Sequence, residues 1–213
     1  MMRAVIFDLD GTLLDTLEDL KDSLNVVLDK KHLPERTLEE VRQFVGNGIH
    51  NLIERAVPEG TSGEVVEQIF LDFRKHYLAH CRDKTCAYPG IPELLEELER
   101  RGISMAIVSN KADAAVKELA KTYFPKIKVA IGEREGIARK PAPDSVFEAM
   151  RSLGAAGGET LYVGDSDVDI ATAENAGLPC VSVTWGFRKE EFLRSLNPAY
   201  VIHQPGELLE LLD

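Results

Sequence analysis

The stretch Ala4-Val5-Ile6-Phe7-Asp8-Leu9-Asp10-Gly11-Thr12-Leu13-Leu14-Asp15 decides how the rest of the chain is read. Four apolar residues run unbroken, then acid, apolar, acid, glycine, threonine. An unbroken apolar run predicts a strand buried on both faces, as in a parallel sheet covered by helices. Strand side chains alternate, so Asp8 and Asp10 point one way and Leu9 points back into the core. Two neighbouring carboxylates repel, and both stay ionised only when a cation or hydrogen bonds hold them. Gly11 permits a sharp turn and lets backbone amides come close to a ligand. A single Asp here would read as a loop residue ending a strand. A pair two residues apart, followed by Gly-Thr, points to chemistry.

Beyond Asp15 the pattern turns helical. Leu17, Leu20, Leu24, Val27 and Leu28 recur at steps of three and four. His32-Leu33-Pro34 breaks the pattern, and Thr37 with Glu40 three residues on predicts a capping box opening a short helix to about Phe44. A Gly46-Asn47-Gly48 loop leads into a helix over 49–56. Ile69, Phe70, Phe73, Tyr77 and Leu78 form the stripe of a long helix. Residues 16–84 therefore read as an all-helical insert.

From Tyr88 the rhythm changes to alternation: helix 90–101, strand 103–108, helix 112–123, strand 127–131, helix 142–153, strand 160–163, helix 168–176, strand 179–184. A helix over 189–195, a strand over 200–202 and a helix from Gly206 finish the chain. Alternating strands and helices predict a parallel sheet covered on both faces. Such sheets bind ligands beyond the carboxyl ends of the strands, at the topological switch point. The residues following each strand are accordingly the functional candidates.

Four groups stand at those positions. Asp8 and Asp10 follow the first strand, and Ser109-Asn110-Lys111 the second. Arg139-Lys140-Pro141 comes after the third, and Gly164-Asp165 with Asp169 after the fourth. Taken singly, Ser109 would read as a helix N-cap, Lys140 as a solvated loop lysine and Asp165 as a cap. Taken along one sheet, they bring carboxylates, a hydroxyl and an ammonium towards one crevice. That set suits a phosphate and a divalent cation.

Composition narrows the classes. The 213 residues are 44% hydrophobic and 29% charged, as in an ordinary globular protein. No apolar run approaches the roughly 18 residues of a membrane span, so no membrane partner is expected. The N-terminal residues read as the entry to a core strand rather than as a secretory leader, which predicts a cytoplasmic protein. A net charge of -11 argues against nucleic acid as a partner. It does not exclude an anionic substrate, because a bound cation reverses the local field. Cys81, Cys86 and Cys180 lack the spacing of a zinc or redox site, and an odd count fits a reducing compartment.

The run from Asp8 to Thr16 resembles the first motif of the haloacid dehalogenase superfamily, D-x-D-G-T-L-x-D-T. Ser109, Lys140, and Asp165 with Asp169 fall where its other motifs fall. Lys140-Pro-x-Pro and Gly164-Asp-Ser-x-x-Asp are similar to the phosphoglycolate phosphatase-like branch. The resemblance covers essentially the whole chain. It implies an α/β core, a Rossmann-like parallel sheet with helices on both faces, from residues 1–15 and 85–213. It also implies an inserted all-helical cap domain over 16–84.

The resemblance further implies a Mg²⁺-dependent phosphatase acting on a small anionic phosphorylated substrate through an aspartyl-phosphate. Asp8 would be the nucleophile and Asp10 the general acid and base. Ser109, Asn110, Gly11 and Thr12 would hold the phosphoryl oxygens, and Lys140 would balance charge. Asp8, Asp10 (through its carbonyl) and Asp165 would bind Mg²⁺, with Asp169 in support. Asn47 in the cap loop would meet the substrate tail, while His50 reads as a surface residue. Asp10 favours phosphoryl transfer over carbon–halogen cleavage, and Thr12 favours phosphatase over sugar phosphomutase. 2-Phosphoglycolate is the first expected substrate, then pyrophosphate or a nucleoside monophosphate. The monomer and the homodimer both stay open. A non-catalytic binding module would lack one of these residues, and none is lacking.

Overall fold

The computed structural model describes residues 2–46 and 48–212. In chain order the elements are β1 (Ala4–Phe7), β2 (Leu14–Asp15), α1 (Leu17–Asp29), α2 (Leu38–Phe44), α3 (Gly48–Ala56) and α4 (Gly63–His80). Next come β3 (Cys86–Ala87), α5 (Ile91–Arg100), β4 (Ser104–Ala112), α6 (Asp113–Tyr123), β5 (Val129–Glu133) and α7 (Asp144–Leu153). The last are β6 (Thr160–Gly164), α8 (Asp167–Ala176), β7 (Cys180–Val183), α9 (Glu190–Ser195), β8 (Tyr200–Ile202) and a closing 3-10 turn (Pro205–Leu211). Internal packing divides the chain into two compact units, Thr16–Cys86 and the remainder.

The larger unit is built on a six-stranded sheet in the order β5-β4-β1-β6-β7-β8, with every neighbouring pair parallel. β1 lies between β4 and β6, and each of its four residues is at most 1% exposed, so both its faces are covered. Burial of Val5, Ile6 and Phe7 contributes roughly 1.5–3 kcal/mol each. The alternation is legible in the packing. Ile6, Ala106, Val108, Tyr162 and Cys180 join Val146 and Ala149 of α7 and Ile170 and Ala173 of α8 in one apolar cluster. Their strand neighbours Val5, Phe7, Ile107, Leu161 and Val163 are buried as well.

The topology fixes where a ligand would go. After β1 the sheet grows through β4 to β5; after β6 it grows the other way, through β7 to β8. The direction reverses between β1 and β6, and the carboxyl ends of those two strands flank the crevice. Asp8 follows β1 directly, and Asp165 follows β6 directly.

The structure departs from the sequence reading in several places. β4 runs to Ala112 rather than ending at Val108, so Ser109 lies within a strand and not at a helix start. Its register against β5 shifts between Val108 and Ala112, a bulge that strict alternation does not anticipate. The chain also closes on a 3-10 turn rather than an α-helix. The short strands β2 and β3, which pair in a separate two-stranded sheet, carry too few residues for any periodic signal.

In the helical unit, α1 packs on α4 and α2, and α3 on α2 and α4. The capping box at Thr37 and Glu40 is present. Asp19 of α1 is buried and accepts backbone N–H bonds from Lys84 and Thr85, tying the end of the unit to its first helix. His50 lies half-exposed beside Glu54 and Glu67. Asn47 is outside the described residues.

Candidate active site

Asp8, Asp165 and Asp169 each offer a carboxylate oxygen, and these oxygens lie within 4.8 Å of one another. All three side chains are buried. Lys140 is the cation among them. Its Nζ is 2.8 Å from Asp8 Oδ1 and 2.8 Å from Asp169 Oδ1. The Nζ also donates to Tyr162 Oη at 3.1 Å, and the tyrosine hydroxyl in turn donates to Asp169 Oδ1 at 3.1 Å. With those hydrogen bonds made, Asp8 Oδ1 is ion-paired but accepts no hydrogen bond.

Asp169 is held from its other side. Ser166 caps α8, and its backbone N–H and hydroxyl both donate to Asp169 Oδ2, at 3.1 and 2.6 Å. Both Asp169 oxygens are thus engaged within the protein. Asp165 receives the Phe187 backbone N–H on Oδ2 at 2.6 Å. Gly11, at φ +81°, lies against that carboxylate so closely that a Cβ there would overlap Asp165 Oδ2. The glycine is required both by its backbone conformation and by this contact.

Lys140 is itself fixed through its backbone. The Asn110 side chain accepts from Lys140 N at 2.8 Å and donates to Lys140 O at 3.0 Å. This amide clip is one clear function of Asn110, because it carries the lysine from its loop to the end of β4. Asp10 is paired with Lys111, whose Nζ is 2.7 Å from Oδ1 and 2.8 Å from Oδ2. Thr12 is fully buried, with its carbonyl accepting from Trp185 Nε1 and its hydroxyl without a hydrogen-bond partner among the described residues. Ser109 Oγ is buried and accepts from Lys111 N at 3.2 Å. Asp8, Lys140, Asp165 and Asp169 therefore form one cluster. Asn110 braces it, Gly11 touches it, and Asp10, paired with Lys111, acts on Asp8 through its charge.

Electrostatics show a cluster short of positive charge. Burial pushes the Asp8 carboxyl up to about 7; Asp169 and Asp10 push the same way, and Lys140 opposes them. Burial, then Asp169 and Asp8, hold Asp165 well above the carboxylate range, against the Phe187 N–H and the Arg188 charge. Burial alone would lower Lys140, but Asp169 and Asp8 outweigh it and raise its pKa well above the ordinary lysine value. A divalent cation fits this donor set. The available atoms are hard carboxylate oxygens, one of them lacks a hydrogen bond, and one ammonium is shared by only two of the three carboxylates.

A pH dependence follows. A raised folded-state pKa means that Asp8 contributes stability below the ordinary carboxylate range, and that this is lost as pH rises through about 7. Metal-free wild type should therefore lose stability, relative to Asp8→Asn, between pH 5.5 and pH 7.5. The comparison cancels groups that Asp8 does not shift, such as His76, whose lowered pKa gives the opposite slope; Asp165, which Asp8 helps to raise, changes in the same sense as Asp8. Thermal melts of both proteins in chelator at the two pH values check it, and parallel melting curves would contradict it.

The sequence reading missed four contributors. Lys111 stands in the quoted motif, but only the bulge turns it onto Asp10. Tyr162 sits in an apolar strand, where nothing marks its hydroxyl as a site group. The Ser166 cap is visible only beside Asp169, and the Phe187 donor is a backbone group without a sequence signal.

A doubly wound α/β core with an acid cluster and a buried lysine at its switch point defines a hydrolase of the phosphoryl-transfer kind. The chain belongs to the haloacid dehalogenase-like hydrolases, whose family model matches residues 5–183. It falls on their phosphoglycolate phosphatase-like branch, among the phosphoric monoester hydrolases. A phosphoglycolate phosphatase of Aquifex aeolicus is 34% identical, with 100% of this chain and 97% of the relative aligned. One from Mesorhizobium japonicum is 37% identical over 98% of this chain and 94% of the relative. Among solved structures, a Lactobacillus delbrueckii subsp. bulgaricus protein, provisionally assigned as a phosphoglycolate phosphatase, superposes with a TM-score of 0.93. It is 33% identical, with 99% of this chain and 98% of that one covered.

Proposed function

We propose that the protein is a Mg²⁺-dependent phosphatase of small organic phosphomonoesters, with 2-phosphoglycolate as the first substrate to test. The observation that carries this reading is the buried cluster of Asp8, Lys140, Asp165 and Asp169 at the sheet's switch point. The names of the relatives support the substrate. Phosphate monoesters resist hydrolysis because their anionic oxygens repel nucleophiles, so charge must be neutralised and the attack aligned.

In the first step an Asp8 oxygen forms a bond to phosphorus as the bond to the leaving oxygen breaks. Asp10 gives that oxygen its proton. Asp10 then takes a proton from water, whose oxygen attacks phosphorus and breaks the Asp8–phosphorus bond. Ser109 Oγ and the backbone N–H of Asn110 hold the phosphoryl oxygens; the N–H groups of Gly11 and Thr12, expected from the sequence to join them, donate instead to Leu14 O and Leu9 O within the turn. Lys140 screens Asp8 from the phosphoryl charge. Asp8, Asp165 and the Asp10 carbonyl would hold the cation, with Asp169 acting from behind through its bonds to Lys140 and Ser166. Bound there, Mg²⁺ would act as a hard Lewis acid that withdraws charge from the phosphoryl oxygens.

Residues 16–84 are proposed as the cap that excludes bulk water during turnover, with Asn47 in the loop that meets the substrate tail. A cytoplasmic location, as monomer or homodimer, completes the reading. It is compatible with three free cysteines and with no helix, among the described residues, long and apolar enough to cross a membrane.

Phosphate release from a panel of monoesters tests the proposal. Activity should be highest with 2-phosphoglycolate, should fall by about 10²-fold or more on chelation, and should return with Mg²⁺. It should not require glucose 1,6-bisphosphate. Undiminished turnover in chelator would overturn the metal assignment, and a sugar phosphate isomerised rather than hydrolysed would overturn the phosphatase.

A further inference from the structure

Lys111 is a buried lysine that the reaction as written leaves without a task. Its side chain is 4% exposed, and its ammonium meets both oxygens of Asp10, at 2.7 and 2.8 Å. The Asp10 side chain is itself only 14% exposed.

The fold goes to some length to present this lysine. Val108 pairs with Ile131 and Ala112 with Glu133, so residues 109–111 of β4 face the single residue Gly132 of β5. That bulge lies flat against Gly132, where a Cβ would come within 2.6 Å of Lys111 O and 2.7 Å of Asp113 N. Lys111 N donates to Ser109 Oγ within the bulge. Asp113, the first residue of α6, accepts from Gly132 N at 3.0 Å and from Arg134 Nη1 at 3.4 Å. Arg134 Nη2 reaches both oxygens of Glu148 on α7. Asp113 thus anchors the chain just after the lysine to β5, and Arg134 carries that anchor on to α7.

We propose that Lys111 is a positioning residue for Asp10, fixing the carboxylate that serves the leaving group. This rests on the acid–base role given to Asp10 above. The physical reason is rotational. An aspartate χ2 is a broad two-fold torsion, so an unheld carboxylate samples many orientations. An ammonium contacting both oxygens selects one, and proton transfer demands a near-attack geometry. Loss of Lys111 should therefore matter most where the leaving oxygen most needs a proton.

Leaving-group dependence tests this, using p-nitrophenyl phosphate (good leaving group) and ethyl phosphate (poor), neither of which carries a carboxylate. Lys111→Met should lower kcat/KM for ethyl phosphate by at least about 10-fold more than for p-nitrophenyl phosphate, a fraction of what a general acid supplies. Lys111→Arg should recover part of the loss. On an Asp10→Asn background, Lys111→Met should add less than about threefold, because coupled residues are not additive.

Equal slowing of the two esters by Lys111→Met, or full additivity with Asp10→Asn, would overturn the proposal. Should Lys111→Met fail to fold, Lys111→Gln carries the same comparison. If Asp10→Asn alone slows both esters equally, the acid–base reading of Asp10 fails. If Asp10→Asn discriminates and Lys111→Met does not, only the positioning role fails.

Discussion

Asp8→Asn should abolish turnover, lowering kcat by about 10⁴-fold or more on any phosphomonoester the enzyme accepts. The change is nearly isosteric, so it removes nucleophilicity with little change of shape. It should not harm the fold. Asp8 is a buried carboxylate beside two others, its protonation pushed up to about 7 first by burial. Lys140 keeps Asp169 as a partner when Asp8 becomes neutral. Metal-free Asp8→Asn should then melt at or above the wild-type temperature at pH 7.5. Phosphate release and a thermal melt on the same preparation separate the two effects. A variant that is inactive because it is unfolded, or one that retains substantial turnover, would contradict this account of Asp8.

Lys140→Met should have the largest effect on stability. The Lys140 side chain is 3% exposed, and its ammonium lies 2.8 Å from both Asp8 and Asp169. Methionine keeps most of the stem and deletes the charge, which leaves buried carboxylates facing each other. Breaking a buried pair from one side costs about 3–5 kcal/mol. For a chain of this size that is a fall in Tm on the order of 10 °C. The sign of the pH effect is fixed. Asp8 protonates more readily once the lysine that opposes its raised pKa is gone, so the deficit should shrink as pH falls from 7.5 to 5. Activity should also fall, by about 10²–10³-fold, because the charge next to the phosphoryl group is lost. A melting temperature unchanged at pH 7.5 would mean that the ion pairs do not carry the cluster.

What the sequence made legible was the part governed by period and by order. The unbroken run at Ala4–Phe7 announced a strand covered on both faces, and the helices expected over 142–153 and 168–176 do end there, each closed by a left-handed glycine, Gly154 and Gly177. Asp8, Lys140, Asp165 and Asp169 were legible because each follows a strand of one parallel sheet, and such sheets gather those positions at one rim. Lys111 and Tyr162 were not, for opposite reasons. A bulge breaks the two-residue alternation that would have told which way Lys111 points. Tyr162 obeys the alternation, but only its hydroxyl, one ring's length from the backbone, reaches Lys140 and Asp169. Ser109 carried a signal with two meanings, cap or ligand, and the extension of β4 to Ala112 removes the first. The Phe187 N–H on Asp165 lies beyond any reading of side chains.

The central claim is that Asp8 carries the phosphoryl group between the two half-reactions. Acid quench during steady turnover of 2-phosphoglycolate with Mg²⁺, followed by borohydride reduction, converts an aspartyl-phosphate to homoserine. Peptide mass spectrometry then finds its position. Homoserine in place of Asp8, absent without substrate, is the predicted result. Turnover with every aspartate of the 4–15 segment left intact would contradict it.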